Sequence, residues 1–458
     1  MTGTPPTQNA APHGVPFMHA VWFWLKLGCV SFGGPAGQIA LMHQELVERR
    51  RWLSERRFMH ALHYCMLLPG PEAQQLATYI GWLMHKRWGG VVAGSLFVLP
   101  SLVILIVLSW LYMAFHQTLW MSGLFYGIQA AVVAIVLHAA YRIGSRILKN
   151  IWLWGVALAS FVALFAFALP FPVIVATAAL VGVVGARMSP HSFHTQSSHH
   201  TSAANPAGSS VEPHLSAWLD DHSPAPAHTR FAWRGFFLVL LSGVVLWAVP
   251  LGLLAATWGW QHDFTQMAWF FTKAALLTFG GAYAVLPYVY QGAVLHYAWV
   301  TPSQMMDGLA LGETTPGPLI MVVAFVGFVG GYAHSLLGTP HALASGVLAA
   351  CLVTWFTFLP SFIFILAGGP LVESTHNNLN LTAPLSAITA AVVGVVVNLA
   401  LFFAQHVLWP QGFSGDLDLP ALALSMAALL ALQRFKRSVM EVLLACGLIG
   451  LTLKALSS

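Results

Sequence analysis

The chain has 458 residues, of which 58% are hydrophobic and 7% charged, and a formal net charge of +5. Soluble domains carry about 25% charged residues, so this composition excludes an ordinary soluble fold and predicts an all-α polytopic membrane protein. The basic excess sits in short loops, where it reads as a determinant of topology and not as a nucleic-acid surface.

In chain order, residues 1–16 form a polar, proline-bearing tail with no Lys or Arg before Lys26, which argues against a cleavable signal peptide. Residues 17–187 form a first transmembrane unit, with long apolar runs such as Gly89–Phe115. Residues 188–230 are rich in Ser, His and Pro and read as a disordered linker. Its histidines, His191, His194, His199, His200, His214, His222 and His228, lack the Cys or carboxylate spacing that fixes a metal geometry, so no metal or cofactor is expected. Residues 231–260 hold one further spanning segment, and residues 261–458 a second transmembrane unit. The four cysteines are scattered through apolar segments and read as small buried hydrophobes.

The two units are copies. At an offset of 247 residues, Trp22 meets Trp269, Lys26 meets Lys273, Ser31-Phe-Gly-Gly34 meets Thr278-Phe-Gly-Gly281, and Pro69-Gly-Pro71 meets Pro316-Gly-Pro318. The match resumes at an offset of 260, where Leu99-Pro-Ser101 meets Leu359-Pro-Ser361. With an even number of crossings per copy, the extra segment turns the second copy over, giving two inverted-topology repeats. The basic loops agree. Arg49–Arg57, Lys86-Arg87 and Arg142–Lys149 have second-copy counterparts without Lys or Arg, and Arg434–Arg437 is basic where its counterpart is not. Cytoplasmic loops collect the basic residues, so the N-terminus and the linker are expected on the cytoplasmic side.

Arg49–Arg57 and Lys86-Arg87 flank one segment, Phe58–His85, which then has to enter and return by turning at Pro69-Gly70-Pro71. The expectation is four broken helices or re-entrant hairpins and about nine crossings; thirteen plain crossings is the competing count. Irregular backbone at membrane depth is tolerated where it is buried in protein or lines a wet cavity. A helix restarted at such a break offers unpaired N–H groups and a dipole suited to an anion. Ser31, Gly33, Gly34, Pro35, Pro69, Gly70, Pro71, Thr278, Gly280, Gly281, Thr314, Thr315, Pro316, Gly317 and Pro318 are therefore candidate substrate-binding residues. Close helix packing and simple kinks are the competing reading of each motif. Lys26 and Lys273 are candidates to neutralise a dianion, against snorkelling to an interface. Glu72 and Glu313 are candidate proton carriers, with helix capping as the alternative for Glu72. Asp307 lies nearer a loop and reads as structural, Gln74 and Gln75 as neutral polar contacts, and Glu441 as a local ion pair with Arg437.

The stretches FGGPAGQIALMHQE, LLPGPEAQQLATYIGWL, FGGAYAVLPYV and ETTPGPLIMVVAFVGF together resemble the chromate ion transporter family in its long two-domain form, over roughly 17–187 and 269–456. The resemblance implies export of chromate from the cytoplasm, chromate resistance, and drive from the proton-motive force. Its implied partners are an oxyanion (chromate, or its isostere sulfate), protons and the lipid bilayer, with a homodimer left open and no nucleic acid. Gly280-Gly281-Ala282 departs from Gly33-Gly34-Pro35, which makes the second turn less rigid. A sulfate transporter, a passive anion channel and an intramembrane enzyme are the rivals. No H-E-x-x-H, G-x-S-x-G or P-loop motif supports the last.

Overall fold

The computed structural model describes residues 14–116, 118–188, 218–219, 227–374 and 382–457. Most of the polar tail, and the linker with its histidines from His191 to His222, lie outside the described residues. Trp218 and Leu219, within the expected linker, dock beside residues 51–54. Their amides donate to Arg51 O and Trp52 O at 3.1 Å, and Leu219 is buried.

Helix α1 (Phe17–Val30) stops at Ser31 because Gly33 and Gly34 take positive φ, and α2 (Gly34–His43) restarts with Pro35 in its first turn, where no backbone donor is lost. A π-turn, Gln44–Arg49, extends α2. Helix α3 (Glu55–Leu67) is capped by Ser54 Oγ accepting from Arg57 N–H. Helix α4 (Glu72–Phe115) starts directly after Pro71 and breaks at His85 and Lys86, whose φ is +59°. Helices α5 (Leu119–Ile147), α6 (Ile151–Phe165) and α7 (Phe171–Met188) complete the first repeat, and α8 (Trp233–Trp258) connects it to the second.

The second repeat runs through the same states. Helix α9 (Asp263–Leu277) ends at Thr278, and α10 (Ala282–Tyr290) restarts after Gly280 and Gly281. A second π-turn occupies Gln291–His296, at the offset of 247 from the first. Helix α11 (Pro302–Thr314) carries a capping box from Thr301, the counterpart of Ser54. Helices α12 (Val322–Ala333), α13 (Ala342–Ser374), α14 (Thr382–Leu408), α15 (Leu419–Gln433) and α16 (Val439–Ser457) follow. The jump from offset 247 to 260 is taken up between α12 and α13, where the two-residue break of α4 is replaced by a longer connection with a 3-10 turn at Thr339–His341. Among the described residues, α4, α5, α8, α13, α14 and α16 are the 6 helices long and apolar enough to cross a membrane. The protein is therefore an all-α, multi-spanning membrane protein in two halves.

Each half packs into the other. Helices α5 and α14 lie side by side; α5 takes α15 and α16 of the second repeat, and α14 takes α6 and α7 of the first. In the same way α4 packs on α13, and α1 stands to α4 as α9 stands to α13. Helix α8 lies on α13 and α9, where Trp247 Nε1 donates to Thr272 Oγ1 at 3.0 Å. The reading of the cysteines needs correction: Cys65 and Cys446 are buried, but Cys29 and Cys351 are exposed.

Candidate functional site

The Gly-Gly and Pro-Gly-Pro interruptions meet, and they meet across the repeats. Gly70 N–H donates to Thr278 O at 2.8 Å, and its counterpart Gly317 N–H donates to Ser31 O at 2.8 Å. Each Pro-Gly-Pro turn thus closes the end of the other repeat's first helix. Both glycines are required. Gly70 has φ +130°, and a Cβ there would lie 2.4 Å from Ser361 Oγ and 2.5 Å from Gln75 Nε2. Gly317 has φ +102°, and its Cβ would lie 2.7 Å from Ser101 Cβ. Ser101 and Ser361 belong to the repeated Leu-Pro-Ser of α4 and α13, so the backing of the turns is duplicated as well.

The crossing holds more polar atoms than the protein pairs. Gln38 Nε2 donates to Ser31 O at 3.3 Å and, in a short bond, to Gly317 O. Gln75 Nε2 donates to Pro69 O at 2.8 Å, and Gln74 Nε2 to Thr78 Oγ1 at 3.0 Å. Among the described residues, the Oε1 atoms of Gln38, Gln74 and Gln75 and the Oγ of Ser101 are buried and find no hydrogen-bond partner. The positions preceding the restarted segments, Gly33, Pro71, Gly281 and Pro318, all lack a side-chain cap. By contrast Ser54, Asn150, Thr301 and Asp418 cap helices elsewhere. Buried polar groups are nearly always paired, and a glutamine amide presents either a carbonyl or an NH2 after half a turn. A crossing with uncapped N-termini and turnable amides is chemically suited to a polar guest.

The hydroxyls flanking the breaks are engaged at home. Ser31 Oγ donates to Leu27 O at 2.6 Å and Thr278 Oγ1 to Ala274 O at 2.7 Å; Thr314 and Thr315 donate to Leu311 O and Gly312 O at 3.0 and 3.1 Å. They finish their own helices, so binding an anion through them requires exchanging those bonds.

The two candidate carboxylates converge on the second Gly-Gly turn, although Glu72 belongs to the first repeat. A Cβ on Gly281 would lie 3.9 Å from Glu72 Oε1. Glu313, buried, accepts a short hydrogen bond from Tyr283 OH, two residues further on. Tyr283 was not legible at this turn, because it stands where the first repeat has Ala36. Gln38 carried no signal either, because Val285 is its counterpart.

The lysines stand apart from this cluster. Lys26 lies on the exposed face of α1 with Trp22 and Val30. Lys273 is half-buried, its Nζ 5.6 Å from the ring centroid of Trp269. Asp307 is not at an open loop but buried, accepting from Tyr112 OH at 2.9 Å and Gln129 Nε2 at 2.8 Å. Arg437 Nη1 is 3.9 Å from Glu441 Oε2, a local pair.

The family model described as chromate transporter matches residues 18–183 and again 265–451, one match per repeat. The chain belongs to the chromate transporter family. It is 33% identical to the chromate transport protein of Pseudomonas aeruginosa over 98% of this chain and 95% of that one. It is 26% identical to the chromate transport protein of Cupriavidus metallidurans, over 94% and 92%. A probable chromate transport protein of Synechococcus elongatus is also 26% identical, over 92% and 91%. No solved structure matches the chain significantly. Membership in this family makes the chain a secondary transporter and not an enzyme.

Proposed function

We propose that the protein exports chromate, a tetrahedral dianion, from the cytoplasm through a site at the crossing of its two repeats, in the cell membrane. The observation that carries this reading is the reciprocal pair of bonds, Gly70 N–H to Thr278 O and Gly317 N–H to Ser31 O. Each bond ties a Gly-Gly interruption of one repeat to a Pro-Gly-Pro interruption of the other, so the four interruptions form two matching crossings. Two inverted repeats, each with two re-entrant hairpins, accommodate them. The hairpins are α1–α2 and α3 with the first limb of α4, and likewise α9–α10 and α11–α12. The second limb of α4, then α5, α6, α7, α8, α13, α14, α15 and α16, supply the crossings.

In this reading the uncapped N-termini after Gly33, Pro71, Gly281 and Pro318 donate to the oxyanion, with Ser101 and the amides of Gln38, Gln74 and Gln75 completing its shell. Lys26 and Lys273 act as outer charges that draw the anion in. Glu313 and Glu72 link the cycle to protons. An ionised carboxylate repels a dianion and a protonated one tolerates it. An inside-negative potential itself favours the outward step, by about 4.6 kcal/mol for two charges at 100 mV.

The test is uptake of chromate into everted vesicles carrying the protein, under a pH gradient with the membrane potential clamped at zero by potassium and valinomycin, and with sulfate and molybdate as competitors. Chromate accumulation that collapses with a protonophore is expected. Sulfate accumulation without chromate uptake would reassign the cargo; equilibration without accumulation would make the protein a channel; movement of no oxyanion would end the reading.

A further inference from the structure

Away from the crossing, two cavities meet where α4 breaks and α8 begins. One, of about 510 Å³, is lined by Lys86, Arg87 and Arg230 together with Trp82, His228 and Phe236. The other, of about 650 Å³, is an apolar trough between α4, α8 and α13, walled by residues such as Val98, Leu102, Val239, Leu246 and Phe358. Arg87, Trp88 and Leu366 border both, so the basic chamber opens into the trough. Among the described residues no carboxylate lines either cavity. Arg87 spends one N–H on Gly235 O at 3.2 Å, whereas Lys86 and Arg230 are exposed and make no hydrogen bond or ion pair with the described residues.

The backbone holds these cations in place. Lys86 has left-handed φ at the break, which turns its side chain out of the helix, and His228 Nε2 donates to Trp82 O at 3.0 Å, fixing the strand of chain that carries Arg230. Three cations at the head of an apolar trough, with no carboxylate among the described lining residues, complement a phosphodiester attached to an acyl chain. Free phosphate uses only the chamber, and an uncharged detergent only the trough. A zwitterionic lipid brings an ammonium against three cations.

We propose that this groove binds one anionic glycerophospholipid, its phosphodiester on Lys86, Arg87 and Arg230 and an acyl chain in the trough. The lipid then pins α8, the joint between the repeats, to α4 and α13. This site is independent of the oxyanion reading and stands or falls separately.

Native mass spectrometry on the purified full-length protein tests it, with delipidated samples offered phosphatidylglycerol or phosphatidylcholine. Phosphatidylglycerol is expected to be retained about ten-fold better. The variant Lys86→Gln/Arg87→Gln/Arg230→Gln is expected to lose that preference. The charge-matched variant Arg56→Gln/Lys149→Gln/Arg434→Gln is expected to keep it. Ser242→Phe, which narrows the trough and leaves the cations alone, is expected to release long-chain but not six-carbon-chain phosphatidylglycerol, and this holds even where the triple variant fails to fold. Equal retention of both lipids, an equal loss in the charge-matched variant, or displacement of the lipid by inorganic phosphate alone would overturn the proposal.

Discussion

The two crossings, Ser31 with Gly317 and Thr278 with Gly70, share a bond length of 2.8 Å, a positive-φ glycine and a backing serine. Their furnishings differ. Gln38, a neutral amide, holds the carbonyls of Ser31 and Gly317. Beside the other crossing stand Glu72 and Glu313 with Tyr283. Duplication kept the backbone construction, which sterics enforce, and let the side chains around the two turns diverge.

The sharpest way to break this comparison is at the shared backbone. Gly70→Ala and Gly317→Ala each add a Cβ into occupied space at positive φ, with strain of about 1–3 kcal/mol before any clash. Both are expected to abolish transport and cut the yield of monodisperse protein to a similar degree, read by vesicle uptake and size-exclusion profile. A normal profile and flux in either would mean that the crossing is not shared.

The next test separates the furnishings. Glu313→Gln is expected to lower proton-coupled chromate flux about 100-fold, on the scale of a lost essential proton-transfer group. Met66→Gln, at the counterpart position in the first repeat, is expected to change flux by less than about two-fold, since no proton group is removed. Equal losses would place coupling on both sides. On the neutral side, Gln38→Leu removes the side-chain donor to Gly317 O, while Ser31 O keeps the Gly317 N–H. A buried unpaired polar group costs about 1–3 kcal/mol, so a roughly ten-fold loss of flux is expected, with coupling to protons unchanged in the remainder.

Smaller effects are expected away from the crossings. Asp307→Ala leaves Tyr112 OH and the Gln129 amide without their buried acceptor, and should lower thermal stability by about 1–3 kcal/mol. Transport per folded molecule should stay within about two-fold, because the network does not touch the turns. Lys26→Ala and Lys273→Ala should raise the KM for chromate by less than about five-fold with little change in kcat, as outer charges affect encounter more than the bound state. A loss confined to kcat would put the lysines inside the site.

The sequence by itself determined the membrane class, the duplication, the positions of the breaks and their glycine and proline chemistry. Each of these follows from composition or local backbone sterics, which act over a few residues. The π-turns at Gln44–Arg49 and Gln291–His296 left no such trace, since a single π-turn differs from an α-turn by one residue in its bonding. Only the tertiary structure decided that the turns interlock across repeats, because a bond from Gly70 to Thr278 depends on how helices far apart in the chain pack. It also decided that Glu72 and Glu313 gather at one Gly-Gly turn with Tyr283. Charges meet through space, and neither periodicity nor repeat alignment encodes which of two equivalent turns will collect them.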